Sequence, residues 1–377
     1  MCRTINLLLV LLIIALASCE EKPEKTSPTQ KKIIVGYVPG FRGTLENLSI
    51  DANKLTHVNY AFVNVQDSMA WLTNIETDTI NFRILNGLKK TNPDLKILIS
   101  IGGWSWSGNF SDAVLTPSSR KKFAKTSVDI VADYDLDGVD IDWEYPGQRG
   151  NDNVFRPEDK QNYTLMFMEI RKELDKLSGK TGKQYELTTA VGASYRYIEN
   201  TEMDKAVKYL DYVNLMTYDF YTSGDTAGHH SNLYPPEDYE KDASAHKTFN
   251  EFVKAGVPPE KLVMGIPFYG RSWIMKSADK HGINMPVEDR ARGGGYTYIK
   301  DSLVNQKGFV RHWDENAKAP YLFNPETNQL VVYDDEESVK LKCEYIIENN
   351  MGGVMFWQYA SDPAEYLLDA VNTNLYR

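Results

Sequence analysis

Eight short apolar runs, separated by segments with helical spacing, recur along this 377-residue chain and restrict its fold more than any other feature. Several of the runs are apolar throughout, which is typical of parallel strands covered on both faces. Eight strands that alternate with helices are the number that a (β/α)8 barrel requires. The sequence therefore predicts the α/β class and a TIM barrel. The runs are IIVGYVP (33–39), HVNYAFV (57–63), KILISIG (96–102), DGVDIDW (137–143), YELTTAVGA (185–193), YVNLMTYD (212–219), LVMGIPFY (262–269) and GGVMFWQY (352–359).

Between these runs the chain carries helical patterns and one segment that breaks the alternation. Apolar residues spaced by three and four predict helices over 118–134, 159–177 and 334–350. Residues 271–331 contain only short β-like pieces, GGGYTYI and NQLVVY, and no long helix. This segment is predicted to form a small α+β insertion between the seventh and eighth barrel strands. The whole folded domain, with this insertion, is expected to span 32–377.

The fourth run places three carboxyl groups at alternate positions, Asp140, Asp142 and Glu144. Alternate side chains on a strand share one face, and residues two apart lie about 7 Å apart. Two like charges at that distance repel by about 2.4 kcal/mol at an effective dielectric near 20. The three groups are therefore expected to share protons, with one kept protonated as a general acid. A row of solvated acids or a divalent-cation site are the alternatives.

The N-terminus has the character of an export signal. Residues 7–17 are apolar but too few to span a bilayer comfortably, and they end in LASC, which resembles the bacterial lipobox. We expect 1–18 to be a lipoprotein signal peptide, Cys19 the lipidated residue and 19–31 a flexible tether. The chain is then exported and lipid-anchored to a bacterial membrane, in the cell envelope, rather than spanning it. The acidic residues after Cys19 resemble the surface-export signals of some Gram-negative lipoproteins, which would place the anchor at the outer-membrane surface.

Composition excludes several classes of function. A net charge of −10 argues against nucleic-acid binding. If Cys19 is lipidated and Cys2 is removed with the signal, Cys343 is left without a partner for a disulfide or a metal site. The adjacent pair His229 and His230 has no third ligand at metal spacing, so neither a metal nor another cofactor is expected. The 23 Tyr and seven Trp suit a surface that packs against sugars.

The fourth run and its neighbours resemble the signatures of glycoside hydrolase family 18, the chitinase family. DGVDIDWEYPG is similar to the DxxDxDxE motif of that family, with Asp137, Asp140, Asp142 and Glu144 in register. The resemblance extends over about residues 32–377. It is also carried by SIGGWS (100–105), MTYDF (216–220), GIPFYGRSW (265–273) and GGVMFWQYASD (352–362).

This resemblance implies a substrate-assisted, retaining mechanism, because the family is an exception to the two-carboxylate glycosidase scheme. Glu144 would be the acid, Asp142 would hold the substrate acetamido group, Asp140 would share a proton with Asp142, and Tyr218 would donate to the acetamido group. Asp137 would have a supporting role, since it lies out of alternation with Asp140. The implied substrate contacts are Tyr37, Phe62, Trp104, Met216, Asp219, Tyr269, Arg271 and Trp357.

The expected substrate is chitin or a chito-oligosaccharide, cleaved at its β-1,4 linkages by a protein that we expect to be a monomer. An endo-β-N-acetylglucosaminidase acting on N-glycans is a close alternative, and a non-catalytic glycan-binding protein of the same fold is a third. The insertion favours the chitinase, because it would form a wall that deepens a cleft for a linear polymer.

Overall fold

The computed structural model describes residues 32–222, 224–237, 239 and 241–376. The predicted signal peptide, tether and lipidated Cys19 lie outside the described residues. The strands in chain order are β1 (Ile33–Pro39), β2 (His57–Gln66), β3 (Met69–Trp71), β4 (Lys96–Gly102), β5 (Gly138–Asp142), β6 (Glu186–Gly192), β7 (Tyr212–Met216), β8 (Leu262–Pro267), β9 (Tyr269–Met275), β10 (Val287–Gly295), β11 (Val310–Asp314), β12 (Ala319–Asn324), β13 (Gln329–Val332) and β14 (Gly353–Trp357).

Eight of these strands close into a parallel barrel. Their order is β1-β14-β8-β7-β6-β5-β4-β2, and β2 pairs with β1 to complete the ring. Each of the eight predicted runs overlaps one barrel strand, so the predicted (β/α)8 fold is confirmed.

Helices surround the barrel and begin at local sequence signals. The helix Pro117–Asp133 (α3), for example, begins where the Thr116 hydroxyl accepts a hydrogen bond from the Ser119 amide and the Ser119 hydroxyl accepts one from the Thr116 amide. No helix within the described ranges is long and apolar enough to cross a membrane. The helices are α1 (Ile75–Leu88), α2 (Phe110–Ala113), α3 (Pro117–Asp133), α4 (Asp159–Thr181), α5 (Tyr195–Glu199), α6 (Met203–Ala206), α7 (Ala245–Lys254), α8 (Tyr296–Ser302), α9 (Glu336–Glu348) and α10 (Tyr366–Leu375).

The apolar outer face of β5 determines which way its acidic side chains point. Val139, Ile141 and Trp143 are fully buried in the core between barrel and helices. Trp143 stacks on Phe110 of α2 at 5.1 Å and lies 6.1 Å from Tyr163 of α4. A one-residue shift of β5 would turn these apolar side chains inward, so their packing holds the alternate residues toward the barrel axis.

The insertion is a five-stranded antiparallel sheet in the order β10-β9-β13-β12-β11. It extends from Tyr269 to Val332, slightly beyond the predicted 271–331. The prediction that GGGYTYI is β-like throughout is wrong, because the piece from Tyr296 onward begins α8. Tyr296 and Ile299 are both buried, and a spacing of three places them on one face of a helix rather than of a strand.

A buried ion pair joins the end of the insertion to the helix that precedes the last barrel strand. The Lys342 ammonium lies 2.7 Å from both carboxylate oxygens of Asp334, and each side chain is only 1% exposed. Ser338 also donates to Asp334 at 2.7 Å. Burial lowers the pKa of Lys342, and the contact with Asp334 opposes that shift. Removal of one partner would leave an uncompensated charge in the interior.

We expect Lys342→Met to lower the free energy of unfolding by about 3 kcal/mol, because it leaves Asp334 buried without its cation. Urea denaturation followed by circular dichroism would measure the loss. The control is Lys340→Met on the same helix. The Lys340 side chain is 48% exposed, and its ammonium lies 3.7 Å from Glu344, farther than the buried pair. That variant should change stability by less than about 0.5 kcal/mol. Equal losses in both variants would contradict the importance of the buried pair.

Candidate active site

A cleft of about 1720 Å³ lies at the carboxyl ends of the barrel strands and against the insertion. This is the end at which TIM-barrel enzymes carry their active sites. The side chains of Asp142 and Glu144 face the cleft, whereas Asp140 does not line it. The other predicted residues that line the cleft are Phe62, Trp104, Met216, Tyr218, Asp219, Tyr269, Arg271 and Trp357.

Asp140 is the deepest of the three carboxyl groups and is fully buried. One carboxylate oxygen accepts hydrogen bonds from the hydroxyls of Tyr37 at 2.7 Å and Ser100 at 2.8 Å. The other accepts from Thr188 at 2.6 Å and from the Asn214 amide at 3.4 Å. Burial raises the pKa of Asp140, and these donors oppose the rise. The side chain is therefore held in one orientation by groups from four different strands.

Asp142 has far fewer partners. It is 4% exposed, and its Oδ1 is buried with no hydrogen-bond partner among the described residues. Burial raises the pKa of Asp142 well above its usual value, and the nearby Glu144 and Asp140 raise it further. A buried acceptor without a donor is costly, so this atom is prepared for a donor that arrives from the cleft.

Glu144 lies just after β5, where its side chain reaches the cleft. Its backbone amide donates to the Ser107 hydroxyl at 2.9 Å, which fixes the chain after the strand. Burial raises the pKa of Glu144 to about 7; a hydrogen bond from Tyr145 opposes the shift and the charge on Asp219 adds to it. A carboxyl group with a pKa near neutrality can donate and then accept a proton.

Asp137 lies away from these groups, before the first residue of β5. Its carboxylate accepts from the Ile97 amide at 2.8 Å and pairs with Lys89 at 2.6 Å. These contacts hold the start of β5 against β4. The supporting role implied by the resemblance is thus structural, and Asp137 does not line the cleft.

A cluster of charged and polar side chains forms the side of the cleft next to β7. Arg271 donates to the two oxygens of Asp219 at 2.8 and 2.6 Å, and the Tyr269 hydroxyl donates to the same carboxylate at 2.8 Å. Burial alone would raise the pKa of Asp219, but His230 and Arg271 hold it well below its usual value. Asp219 is therefore an anion whose charge is balanced within the protein.

Tyr218 and Met216 lie beside this group. Both line the cleft, and the Tyr218 hydroxyl is 3.8 Å from the sulfur of Met355. Burial raises the pKa of Tyr218 well above its usual value, so the hydroxyl keeps its proton. It can serve as a hydrogen-bond donor into the cleft.

Aromatic rings form the floor. Trp357 stacks nearly parallel to Phe62, with ring centroids 5.4 Å apart, and to Phe41 at 6.4 Å. Trp104 is 51% exposed and also lines the cleft. Tyr37 does not fit the prediction of a substrate contact: it is 2% exposed, does not line the cleft and donates its hydroxyl to Asp140. The reason is its position on β1, which directs the side chain into the barrel.

Comparison with known proteins identifies the family. The profile of Glycosyl hydrolases family 18 matches residues 33–362. Chitinase A1 of Niallia circulans is 34% identical over 97% of this chain, and the chain spans 62% of that protein. The chain belongs to glycosyl hydrolase family 18. This family 18 hydrolase also shares 39% identity and a TM-score of 0.86 with an N-acetylglucosaminidase from Paenibacillus barengoltzii, covering 91% of this chain and 100% of that one.

A solved plant relative is more distant. The Class V chitinase from Nicotiana tobaccum, in complex with NAG4, is 26% identical with a TM-score of 0.82, covering 92% of this chain and 99% of that chain.

Several groups in the site of this family 18 hydrolase were missed by sequence reasoning. Thr188 and Asn214 bind Asp140 from β6 and β7, and the amino-acid sequence gives no signal that they converge on it. Tyr145 directly follows Glu144, so its proximity could have been foreseen. Arg290 and Arg292 reach the cleft from the insertion, which no motif indicates. Within the described residues, no three His, Cys, Asp or Glu side chains group as metal ligands.

We expect Glu144 of this family 18 hydrolase to titrate with a pKa of about 7 and Tyr145→Phe to raise that value. The carboxyl is protonated below its pKa, and the variant loses the hydrogen bond that stabilises the carboxylate. Infrared difference spectra over a pH series, with Glu144→Gln as the blank, would follow the carboxyl band. A titration near the ordinary value of about 4.3 in the unsubstituted protein would contradict this prediction.

Proposed function

We propose that this protein hydrolyses the β-1,4 linkages of N-acetylglucosamine polymers, chitin or chito-oligosaccharides, with retention of configuration and with the substrate's own acetamido group as nucleophile. The observation that carries the proposal is the buried Oδ1 of Asp142, which lies near Glu144 and has no hydrogen-bond partner in the part of the chain that the structure describes. The N–H of a substrate acetamido group would supply the hydrogen-bond donor that Asp142 Oδ1 lacks in the described structure. Glu144, with its pKa of about 7, supplies the proton that the leaving sugar needs.

In the first step Glu144 gives its proton to the glycosidic oxygen, and the bond from that oxygen to the anomeric carbon breaks. The acetamido carbonyl oxygen forms the new bond to the anomeric carbon, which closes an oxazolinium ring. Asp142 accepts the acetamido N–H and balances the positive charge that develops on the ring. Tyr218 donates its hydroxyl to the acetamido group and orients the carbonyl oxygen.

In the second step water opens the ring. Glu144, now a carboxylate, takes a proton from the water, whose oxygen attacks the anomeric carbon, and the acetamido group is regenerated. Two displacements at one carbon retain its configuration. Asp140 shares a proton with Asp142, and its four donors hold it in the orientation this requires.

The cleft walls support an N-acetylglucosamine polymer as the substrate. Trp357 offers a flat apolar face on which a sugar ring can stack, and the exposed ring of Trp104 offers a second one in the same cleft. The insertion adds a wall that suits a linear chain. The relatives named above are chitinases and an N-acetylglucosaminidase, one of them bound to NAG4, which agrees with this substrate class.

We further propose that the protein is an exported bacterial lipoprotein anchored through Cys19, on the basis of the LASC stretch after an apolar run. Metabolic labelling with a fatty-acid analogue should mark the unsubstituted protein and leave Cys19→Ala unlabelled. Equal labelling of the two would contradict the anchor.

We expect Glu144→Gln to lower kcat on a chito-oligosaccharide by on the order of 10²-fold or more, because the carboxamide is too weak an acid to protonate the glycosidic oxygen. Oligosaccharide binding, measured by calorimetry, should be retained. Asp142→Asn should also slow the reaction sharply, since the neutral amide cannot balance the oxazolinium charge. An unchanged rate in Asp142→Asn would contradict substrate assistance.

The decisive experiment compares products from protein lacking residues 1–30. One reaction contains a chito-oligosaccharide and the other a high-mannose N-glycopeptide, and Glu144→Gln is the control in both. Chitobiose or N-acetylglucosamine of initially β configuration, from the first reaction only, is the expected result. Release of glycan from the second alone would replace the proposal with N-glycan processing. No product from either would point to a binding protein.

A further inference from the structure

Two arginines in the wall of the cleft are not used by the proposed mechanism. Arg290 and Arg292 lie on β10 of the insertion, and both line the cleft. Neither guanidinium has a hydrogen-bond or ion-pair partner among the residues that the structure describes. The pair is named here the arginine wall.

The register of the insertion places Arg290 beyond Arg271 and Arg292 in the bulge opposite it. On β10, Arg290 pairs with Trp273 and Gly294 with Gly270 across the antiparallel ladder, and a bulge between 291 and 294 lies opposite residue 271. Arg271 is neutralised by Asp219 at 2.6 Å. Bulges redirect side chains next to active sites. The positive charge is therefore balanced near the barrel and unbalanced farther up the wall.

Within the described structure, no nearby acidic side chain forms an ion pair that neutralises the guanidinium groups of the arginine wall. Glu288 and Asp289 precede it on β10, and neither is within ion-pair distance of its guanidinium groups in the described structure. Asp301 lines the cleft and accepts a hydrogen bond from the Tyr366 hydroxyl at 3.2 Å. A further cation lies near the cleft. The Lys307 ammonium is 5.8 Å from the ring centroid of Tyr298, and Tyr298 lines the cleft.

Unpaired arginines have a chemical preference that a neutral polymer does not satisfy. A guanidinium presents two parallel N–H groups that match a carboxylate or a sulfate, and it repels an ammonium group. Fully acetylated chitin carries neither charge. A glycan with acidic substituents would gain an ion pair at this wall, and a deacetylated one would meet repulsion.

We propose that the arginine wall makes this cleft select N-acetylglucosamine polymers with anionic substituents, carboxylate or sulfate, over neutral and amine-bearing ones. This specificity rests on the proposed glycosidase function, since it concerns which form of that polymer enters the same site. Arg290 and Arg292 act on substrate choice and are not part of the bond-breaking step.

The test compares four soluble substrates by kcat/KM: glycol chitin, which is neutral, carboxymethyl chitin, O-sulfated chitin and partly deacetylated chitosan. The readout is the kcat/KM for each charged substrate divided by the kcat/KM for glycol chitin, both at low ionic strength. In Arg290→Gln/Arg292→Gln the ratio for at least one anionic polymer should fall about tenfold, and the ratio for chitosan should rise. The anionic polymer with the larger fall identifies the substituent. In the unsubstituted protein the preference should shrink in 1 M salt, where the Debye length is about 3 Å.

Two further variants keep the test strict. Arg83→Gln/Lys180→Gln removes the same charge from exposed helical positions outside the cleft and should leave every ratio unchanged. Arg290→Lys/Arg292→Lys keeps the charge and should keep most of the preference. An equal fall on glycol chitin and on the anionic polymers would show contacts with sugar hydroxyls and would overturn the proposal, as would unchanged ratios.

Failure of the proposed function would be visible separately. If the unsubstituted protein does not turn over glycol chitin, the glycosidase function fails. Affinity electrophoresis in gels that contain carboxymethyl, sulfated or glycol chitin then still measures the charge preference. Stronger retardation by an anionic polymer, lost in Arg290→Gln/Arg292→Gln, would support the arginine wall, and equal retardation would refute it.

Discussion

The site depends on the packing of one face of β5. Val139, Ile141 and Trp143 are buried against the surrounding helices, where Trp143 stacks on Phe110. Because strand side chains alternate, this packing directs the carboxyl groups of Asp140 and Asp142 into the barrel, at a desolvation cost that the apolar face must offset. The acidic row is thus a consequence of core formation on the other face of the same strand.

Equal chemical groups acquire different properties along that row because their surroundings differ. Asp140 receives four hydrogen bonds and is fixed in orientation. Asp142 keeps one buried oxygen without a partner in the described structure, and Glu144 opens into the cleft. Under the proposed mechanism, these different surroundings would give each of the three carboxyl groups a separate part in proton transfer.

The insertion determines the breadth of the site. Its sheet leaves the barrel after β8 and returns through the segment that the buried pair of Asp334 and Lys342 secures. The barrel ends supply the acids and the aromatic floor, while the insertion supplies Arg271 to neutralise Asp219 and presents Arg290 and Arg292. Under the two proposals above, reactivity and substrate choice would be carried by different parts of the fold.

The sequence alone determined the barrel, because eight apolar runs in alternation with helices leave few other arrangements. It also determined that Asp140, Asp142 and Glu144 share a face, since alternation is a local property of a strand. Tertiary structure decided which groups meet from distant segments. Thr188 and Asn214 converge on Asp140, Tyr37 lies beneath the cleft rather than in it, and Tyr296 begins a helix where a strand was predicted. These outcomes depend on the closure of the barrel and on burial, which bring together residues that no short stretch of sequence contains.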